Sequence, residues 1–220
     1  MNNTIVVKGV GNACTAPDSV VITIDLEALD RDYQKAMELG AKNIDSLTKS
    51  LVAAGFDKKA IKTTHFDVRA KYDSHRAKDG TYYDTFAGYE VNHVLKLQFD
   101  FSTKKLAKAL GAIGVSTADP VFRIRFTVKD PSAVSDEMLK SATENARHKA
   151  EILCAASGKE LGELLSIDYN WGEINVYSKT RYDMSEACVP KAMRCCVEDI
   201  DIEPEDIETS DTATFVWEIK

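Results

Sequence analysis

Four histidines, five cysteines and a short row of basic residues are where this sequence could do chemistry. His65 and Asp67 lie two apart, so on a strand they share a face, a spacing that can orient an imidazole or supply two ligands to a metal. Two ligands do not make a metal site. A third would have to come from His75 or His93, and without it the pair reads as a polar strand face. His93 falls on the apolar side of its own strand, where a buried neutral imidazole with one hydrogen-bond partner is expected rather than a base. No Gly-x-Ser-x-Gly elbow occurs, and no Ser, His and Asp grouping follows from spacing. The residues therefore assign no catalytic, cofactor-binding or metal-binding position, call for no cofactor, and do not predict an enzyme.

The thiols are Cys14, Cys154, Cys188, Cys195 and Cys196. The last three lack the Cys-x-x-Cys spacing of zinc or thioredoxin-like sites. Vicinal Cys195 and Cys196 could be redox-active if exposed and if Lys191 and Arg194 lowered a thiol pKa, but a plain mobile loop is the favoured reading. Gly9-x-Gly11 resembles the start of a dinucleotide fingerprint, but no third glycine follows and no helix opens there. It reads instead as a twisted or bulged strand, or as a close approach of backbones. Arg123, Arg125 and Lys129 form a basic row on one strand, the pattern of a solvated face.

The elements that carry these residues follow from periodicity. Ile5 to Leu29 reads as two strands meeting in a hairpin near Thr15–Asp18, the second with Val20, Ile22, Ile24, Leu26 and Ala28 on one face. Asp30 or Asp32 caps a helix with Tyr33, Met37, Ala41, Ile44, Leu47 and Leu51 on its stripe, stopped by Gly55. A strand from Ile61 to about Tyr72 leads into a long polar hairpin loop, 73–80, and then a strand with Val91, His93, Leu95, Leu97, Phe99 and Phe101 on one face. Ser102 or Thr103 caps a short helix carrying Leu106, Ala109, Leu110 and Ile113, ended by Gly114. A strand with Phe122, Ile124, Phe126 and Val128 inward follows. Asp130 and Pro131 open a long helix whose stripe is Val134, Met138, Ala142, Ala146, Ala150 and Leu153, ended by Gly158. Strands at 165–171 and 212–219 close the chain.

Strand, helix, strand, strand, helix, strand is the order of the ferredoxin-like split unit. The expected fold is thus α+β: a split core with both helices on one face of a mostly antiparallel sheet. The N-terminal hairpin strand, third helix and closing strands would extend that sheet or form a smaller subdomain. One domain over residues 1–220 is expected, with core 4–171, closing strand 209–220 and a long loop at 172–208 whose end, Glu198 to Glu208, carries seven acidic residues.

Composition narrows the classes further. At 220 residues, 44% hydrophobic and 29% charged, the chain is ordinary for a globular protein. A net charge of −7 argues against a phosphate-tracking nucleic-acid binder. No stretch approaches the ~18 consecutive apolar residues of a membrane span, and Met1 to Gly11 does not read as a signal peptide. With an odd number of cysteines as well, a soluble cytoplasmic protein is expected.

Several short motifs occur in order: Val7-Lys8-Gly9-Val10-Gly11 followed by Ala16-Pro17-Asp18, then Gly88-Tyr89, and Phe126-Thr127-Val128 before the third helix. Downstream come Ala146-Arg147, Lys149-Ala150-Glu151, Ala155-Ala156-Ser157-Gly158, Leu161-Gly162-Glu163 and a closing aromatic strand. Together they resemble the SIMPL-domain family over essentially the whole chain. Many bacterial relatives carry an export signal and a Pro-Gly-Glu turn that reads Pro204-Glu205-Asp206 here. The resemblance implies a domain without an established catalytic mechanism, whose bacterial members assemble into homo-oligomers and are associated with stress tolerance. It has no catalytic residues to carry over. The expected function is a non-enzymatic, self-assembling scaffold or protein-binding module. The alternative is a small-molecule-binding or thiol-redox protein using the 172–208 loop.

Overall fold

The structure is a computed structural model that describes residues 3–78, 80–170, 174–184 and 202–220. The chain divides into two compact units, one of Met1–Asp18, Thr127–Lys179 and Pro204–Lys220, the other of Ser19–Phe126 and Thr180–Glu203. The α+β class and the split core are as expected. In the second unit β2 (Ser19–Asp30), α1 (Tyr33–Ala53), β3 (Ile61–Arg76), β4 (Tyr82–Asp100), α2 (Thr103–Gly114) and β5 (Val121–Thr127) follow one another. Their strands lie in the order β3-β4-β2-β5, which is the split arrangement, with β7 (Tyr177–Met184) added beside β5.

Register explains why these strands meet. β2 and β4 pair antiparallel with Ile22 opposite Leu97, Ile24 opposite Leu95 and Ala28 opposite Val91, so the two apolar alternations coincide on one face. Leu47 and Leu51 of α1 and Leu106, Leu110 and Ile113 of α2 pack on that face in one cluster with Ile22, Ile24, Leu97, Ile124 and Phe126. Each such side chain contributes ~1.5–3 kcal/mol of burial. Asp32 caps α1, accepting from the Lys35 N–H. The buried stripe of α1 is Ala36, Gly40, Leu47 and Leu51, rotated by one residue at its start from the expected Tyr33, Met37 and Ala41. A Cβ at Gly40 would lie 3.0 Å from Val91 Cγ1, so small residues, not large ones, mark where the helix touches the sheet.

The first unit is a three-stranded sheet of β1 (Thr4–Thr15), β8 (Ile207–Ile219) and β6 (Leu161–Asp168), with α3 (Pro131–Ala156) packed on it. β1 therefore does not form the expected hairpin with β2. It pairs with β8 along its whole length, placing Ile5 opposite Trp217, Val7 opposite Phe215 and Gly9 opposite Ala213. Asp18 turns the chain aside: its N–H donates to the Thr127 carbonyl, and its carboxylate accepts the Lys129 N–H. The smaller-subdomain alternative is the one realised.

No bulge marks Gly9 and Gly11. A Cβ at either would stand 2.1 Å from the Ala142 carbonyl oxygen or 1.9 Å from that of Met138, so the glycines let α3 lie against the strand. The buried stripe of α3 is Val134, Met138, Ala142, Ala146, Ala150 and Cys154, while Leu153 is 53% exposed. Its opening is as expected, with Asp130 accepting from the Ser132 and Ala133 N–H groups.

Three further boundaries differ. The expected loop 73–80 shortens because β3 runs to Arg76 and β4 begins at Tyr82. The expected loop 172–208 contains β7 and the start of β8. The strand expected at 165–171 begins at Leu161. No helix among the described residues is long and apolar enough to cross a membrane.

Candidate functional site

Strand β4 is longer than its neighbour β2. Their register ends at Asp30 opposite Tyr89, and before Tyr89 β4 pairs with β3 alone. The segments around Tyr72–Arg76 and Tyr82–Phe86 thus form a two-stranded arm extending some 20 Å past the end of β2, at ~3.4 Å per residue. A register shift between Lys71 and Tyr72 bends its root. There Gly88 passes so close to β2 that a Cβ would meet the Asp30 carbonyl oxygen at 2.6 Å.

The root is held by charge. Glu90 is almost fully buried, its side chain 3% exposed, and takes Arg69 on Oε2, with Nε and Nη2 each at 2.7 Å, and the Lys71 ammonium on Oε1. Lys71, through its hydrogen bond, and then Arg69 hold the Glu90 carboxyl below its ordinary range, while burial opposes them. Arg69 and Lys71 lie two apart on β3 and so project from one face.

Beyond the root the arm carries Tyr72, Tyr82, Tyr83 and Phe86, each between 39% and 71% exposed. Phe86 meets Tyr72 and Tyr89 edge-on at 5.6 and 5.3 Å, and Tyr89 meets Tyr33 of α1 at 5.5 Å, so a row of rings runs from the helix onto the arm. His75 lies beside Tyr83 with its Nε2 2.9 Å from Thr85 Oγ1, and Arg76 sits over the Tyr82 ring at 5.9 Å. Four large aromatics and the Arg76 guanidinium equip this ribbon to grip a surface.

The histidines do not converge. His65 and Asp67 stand opposite Val94 and Asn92, whereas His93 stands opposite Phe66 on the other face, and His75 is out on the arm. Among the described residues no group of three His, Cys, Asp or Glu could hold a metal. His93 has the expected single partner, Thr63 Oγ1 at 2.8 Å from Nε2, while Nδ1 is buried without one. Burial alone lowers its pKa. The basic row is broken: Arg123 is paired with Asp25 at 2.8 Å, and Lys129 lies past the end of β5.

Residues 5–217 match the family model described as SIMPL, protein of unknown function (DUF541). The chain belongs to the SIMPL family. It is similar to the 26 kDa periplasmic immunogenic protein of Brucella abortus (strain S19), 27% identical over 168 residues that cover 74% of this chain and 65% of the relative. The protein of the same name from Brucella melitensis biotype 1 is 26% identical over the same shares. The chain thus spans 65% of the length of these curated relatives.

Two cavities of this SIMPL chain are large enough to admit a small molecule. One, of about 630 Å³, is lined by Asn12, Cys14, Glu137, Lys179 and Glu208. Desolvation, then the charges of Asp206 and Glu208, push the Cys14 thiol up, so it is no activated nucleophile. The other, of about 530 Å³, holds Asp25, Glu27, Asn92 and Arg123, with Arg123 committed to Asp25. Neither assembles a nucleophile with a base. Cys188, Cys195 and Cys196, on which the thiol-redox alternative turns, lie outside the described residues. The aromatic arm went unread in the sequence, although Tyr82-Tyr83-Asp84-Thr85-Phe86 is a run rich in strand-forming residues.

Proposed function

We propose that this SIMPL protein is a non-enzymatic scaffold that binds further copies of itself, with the β3–β4 arm as its contact surface. The observation that carries the reading is the set of four exposed aromatic rings on a ribbon with no third strand among the described residues. A lone hairpin is marginal in water, and buried aromatics with arginine are the anchors of protein interfaces. The resemblance to a family whose bacterial members assemble into homo-oligomers supports the choice of a second copy as partner.

Sedimentation velocity through the micromolar range tests this. The wild type should sediment above its 24.3 kDa monomer mass, and Tyr72→Ser with Phe86→Ser should return it toward monomer with unchanged circular dichroism. A wild-type protein that stays monomeric overturns the reading. Compartment is a separate matter: the cytoplasmic proposal rests on cysteine usage, with Cys14 and Cys154 free thiols, whereas the relatives are named periplasmic; cell fractionation decides between them.

A further inference from the structure

Helix α2 is built against its own stability on one side. Its first turn carries Lys104 and Lys105 and no acidic residue, the wrong sign for a helix N-terminus, and its N-cap Ser102 makes no side-chain cap hydrogen bond. Lys108 and then Gly111 follow Lys104 at helical spacing along the same side. The glycines at 9, 11, 40, 88 and 162 each face an atom that a Cβ would crowd, and those at 55, 80 and 158 have positive φ. Gly111 has neither reason: a Cβ there would meet nothing within 4 Å. A glycine inside a helix weakens it, and no neighbour in the fold requires this one.

These features coincide at a groove. Ala53 and Ala54, at the end of α1, and Ala107, Lys108, Gly111 and Ala112 of α2 line a cavity of about 400 Å³. Lys58 and Lys59 follow Ala54 in a short 3-10 turn whose cap, Asp57, accepts the Lys59 N–H. Residues 53–59 and 103–112 thus hold five cations against one carboxylate, +4 net, which leaves −11 on the rest of a chain whose total is −7. All five lysines are exposed, and among the described residues none is in an ion pair, whereas Lys49, Arg69, Lys71, Arg123, Arg147 and Lys179 are.

We infer that this groove binds an acidic segment of a partner protein other than a second copy of this chain. An apolar side chain of the segment lies on the alanines, its backbone passes close over Gly111, and its carboxylates meet the lysines. Cations at a helix N-terminus and a glycine that the fold does not need are local inconsistencies, and such sites are where function sets the residues. The sign of the patch fixes the sign of its partner. An apolar centre inside a charged rim is the anatomy of a protein interface. A phosphodiester backbone has no apolar group to offer the alanine floor, and a bilayer does not enter a concave surface. Either would also run from the patch onto the acidic remainder of the chain, beyond the ~8 Å over which its lysines act.

Fluorescence anisotropy tests it, with the full chain titrated into a fluorescein-labelled peptide of Glu-Leu-Glu-Ala repeats at low salt. The peptide should bind, and its glutamine counterpart, a short single-stranded DNA and phosphatidylserine vesicles should each bind at least about tenfold more weakly. Lys104→Glu with Lys108→Glu, a change that suits the start of α2, should weaken the peptide at least about tenfold. Lys140→Glu with Lys159→Glu makes the same charge change on exposed lysines of the first unit and should weaken it no more than about twofold. Gly111→Leu puts a better helix former into open space, so it should raise the melting temperature while weakening the peptide at least about fivefold. No binding of the peptide, an equal loss in the two lysine pairs, or full affinity in Gly111→Leu overturns the site. Tighter binding of the DNA or the vesicles than of the peptide overturns the choice of partner.

Discussion

Glu90 and its two cations offer a test of what holds the arm, because the cluster is asymmetric. The carboxylate is 3% exposed, whereas Arg69 and Lys71 are 63% and 43% exposed. Replacing both cations, as Arg69→Met with Lys71→Met, leaves a buried carboxylate with no partner, a change that costs about 3–5 kcal/mol. Glu90→Gln removes the charge from the buried side, and the exposed cations return to water. The loss is then that of hydrogen bonds to a charged group, about 1.5–3 kcal/mol. The double cation variant should therefore be the less stable of the two, although the glutamate is the residue in the interior.

The pH dependence should separate them further. The native Glu90 carboxyl titrates below its unfolded value, so its stabilisation is complete above about pH 4.3 and is lost as pH falls through the lower native value. Without Arg69 and Lys71, burial is left to raise that carboxyl, and the variant's deficit should shrink as pH falls below neutrality and the group protonates. Urea denaturation followed by circular dichroism at pH 7 and pH 4.5, at fixed protein concentration, measures both effects. Glu90→Gln proving as costly as the double variant, or a deficit independent of pH, would refute the reasoning.

Two other expectations follow from buried geometry. Burial holds His93 neutral in the native state below the usual histidine range, so the unfolded chain takes up the proton first. Its stabilisation is complete above about pH 6.5 and falls with pH toward the depressed native value, by at most ~1.4 kcal/mol per pH unit; His93→Gln should flatten that part of a urea-stability profile between pH 7.5 and 5, and an unchanged slope would count against it. Gly9→Ala forces a methyl to 2.1 Å from the Ala142 carbonyl, whereas Gly111→Ala meets nothing within 4 Å in α2. The first should cost at least ~1–3 kcal/mol and the second should gain up to ~1 kcal/mol, read as opposite shifts in melting temperature.

Much of the second unit was legible because burial on one face writes a period into the chain. β2 and β4 alternate, and the caps at Asp32 and Asp130 stand where the helical stripes begin. The stripe of α3 could have been read more strictly, since spacing by four from Val134 leads to Cys154 and not to Leu153. Ala36 and Gly40 escaped because a helix lying close to a sheet uses small residues, which hydrophobicity alone does not flag. The pairing of β1 with β8 could not be seen, since each strand is compatible with several partners and the turn-forming Ala16-Pro17-Asp18 favoured the nearest one. The arm was unreadable for a different reason. With solvent on both faces it has no apolar alternation, so Asp73 to Arg76 look like loop residues although they are paired strand.

That same wetness argues for what the arm is. An element that buries neither face contributes little to its own fold, yet this one is braced at its root by a buried carboxylate, a glycine pressed on β2 and a row of edge-on rings from Tyr33. Bracing an element that is wet on both faces and carries four exposed rings makes physical sense if those rings are covered on association, which is the contact that the proposed self-association supplies.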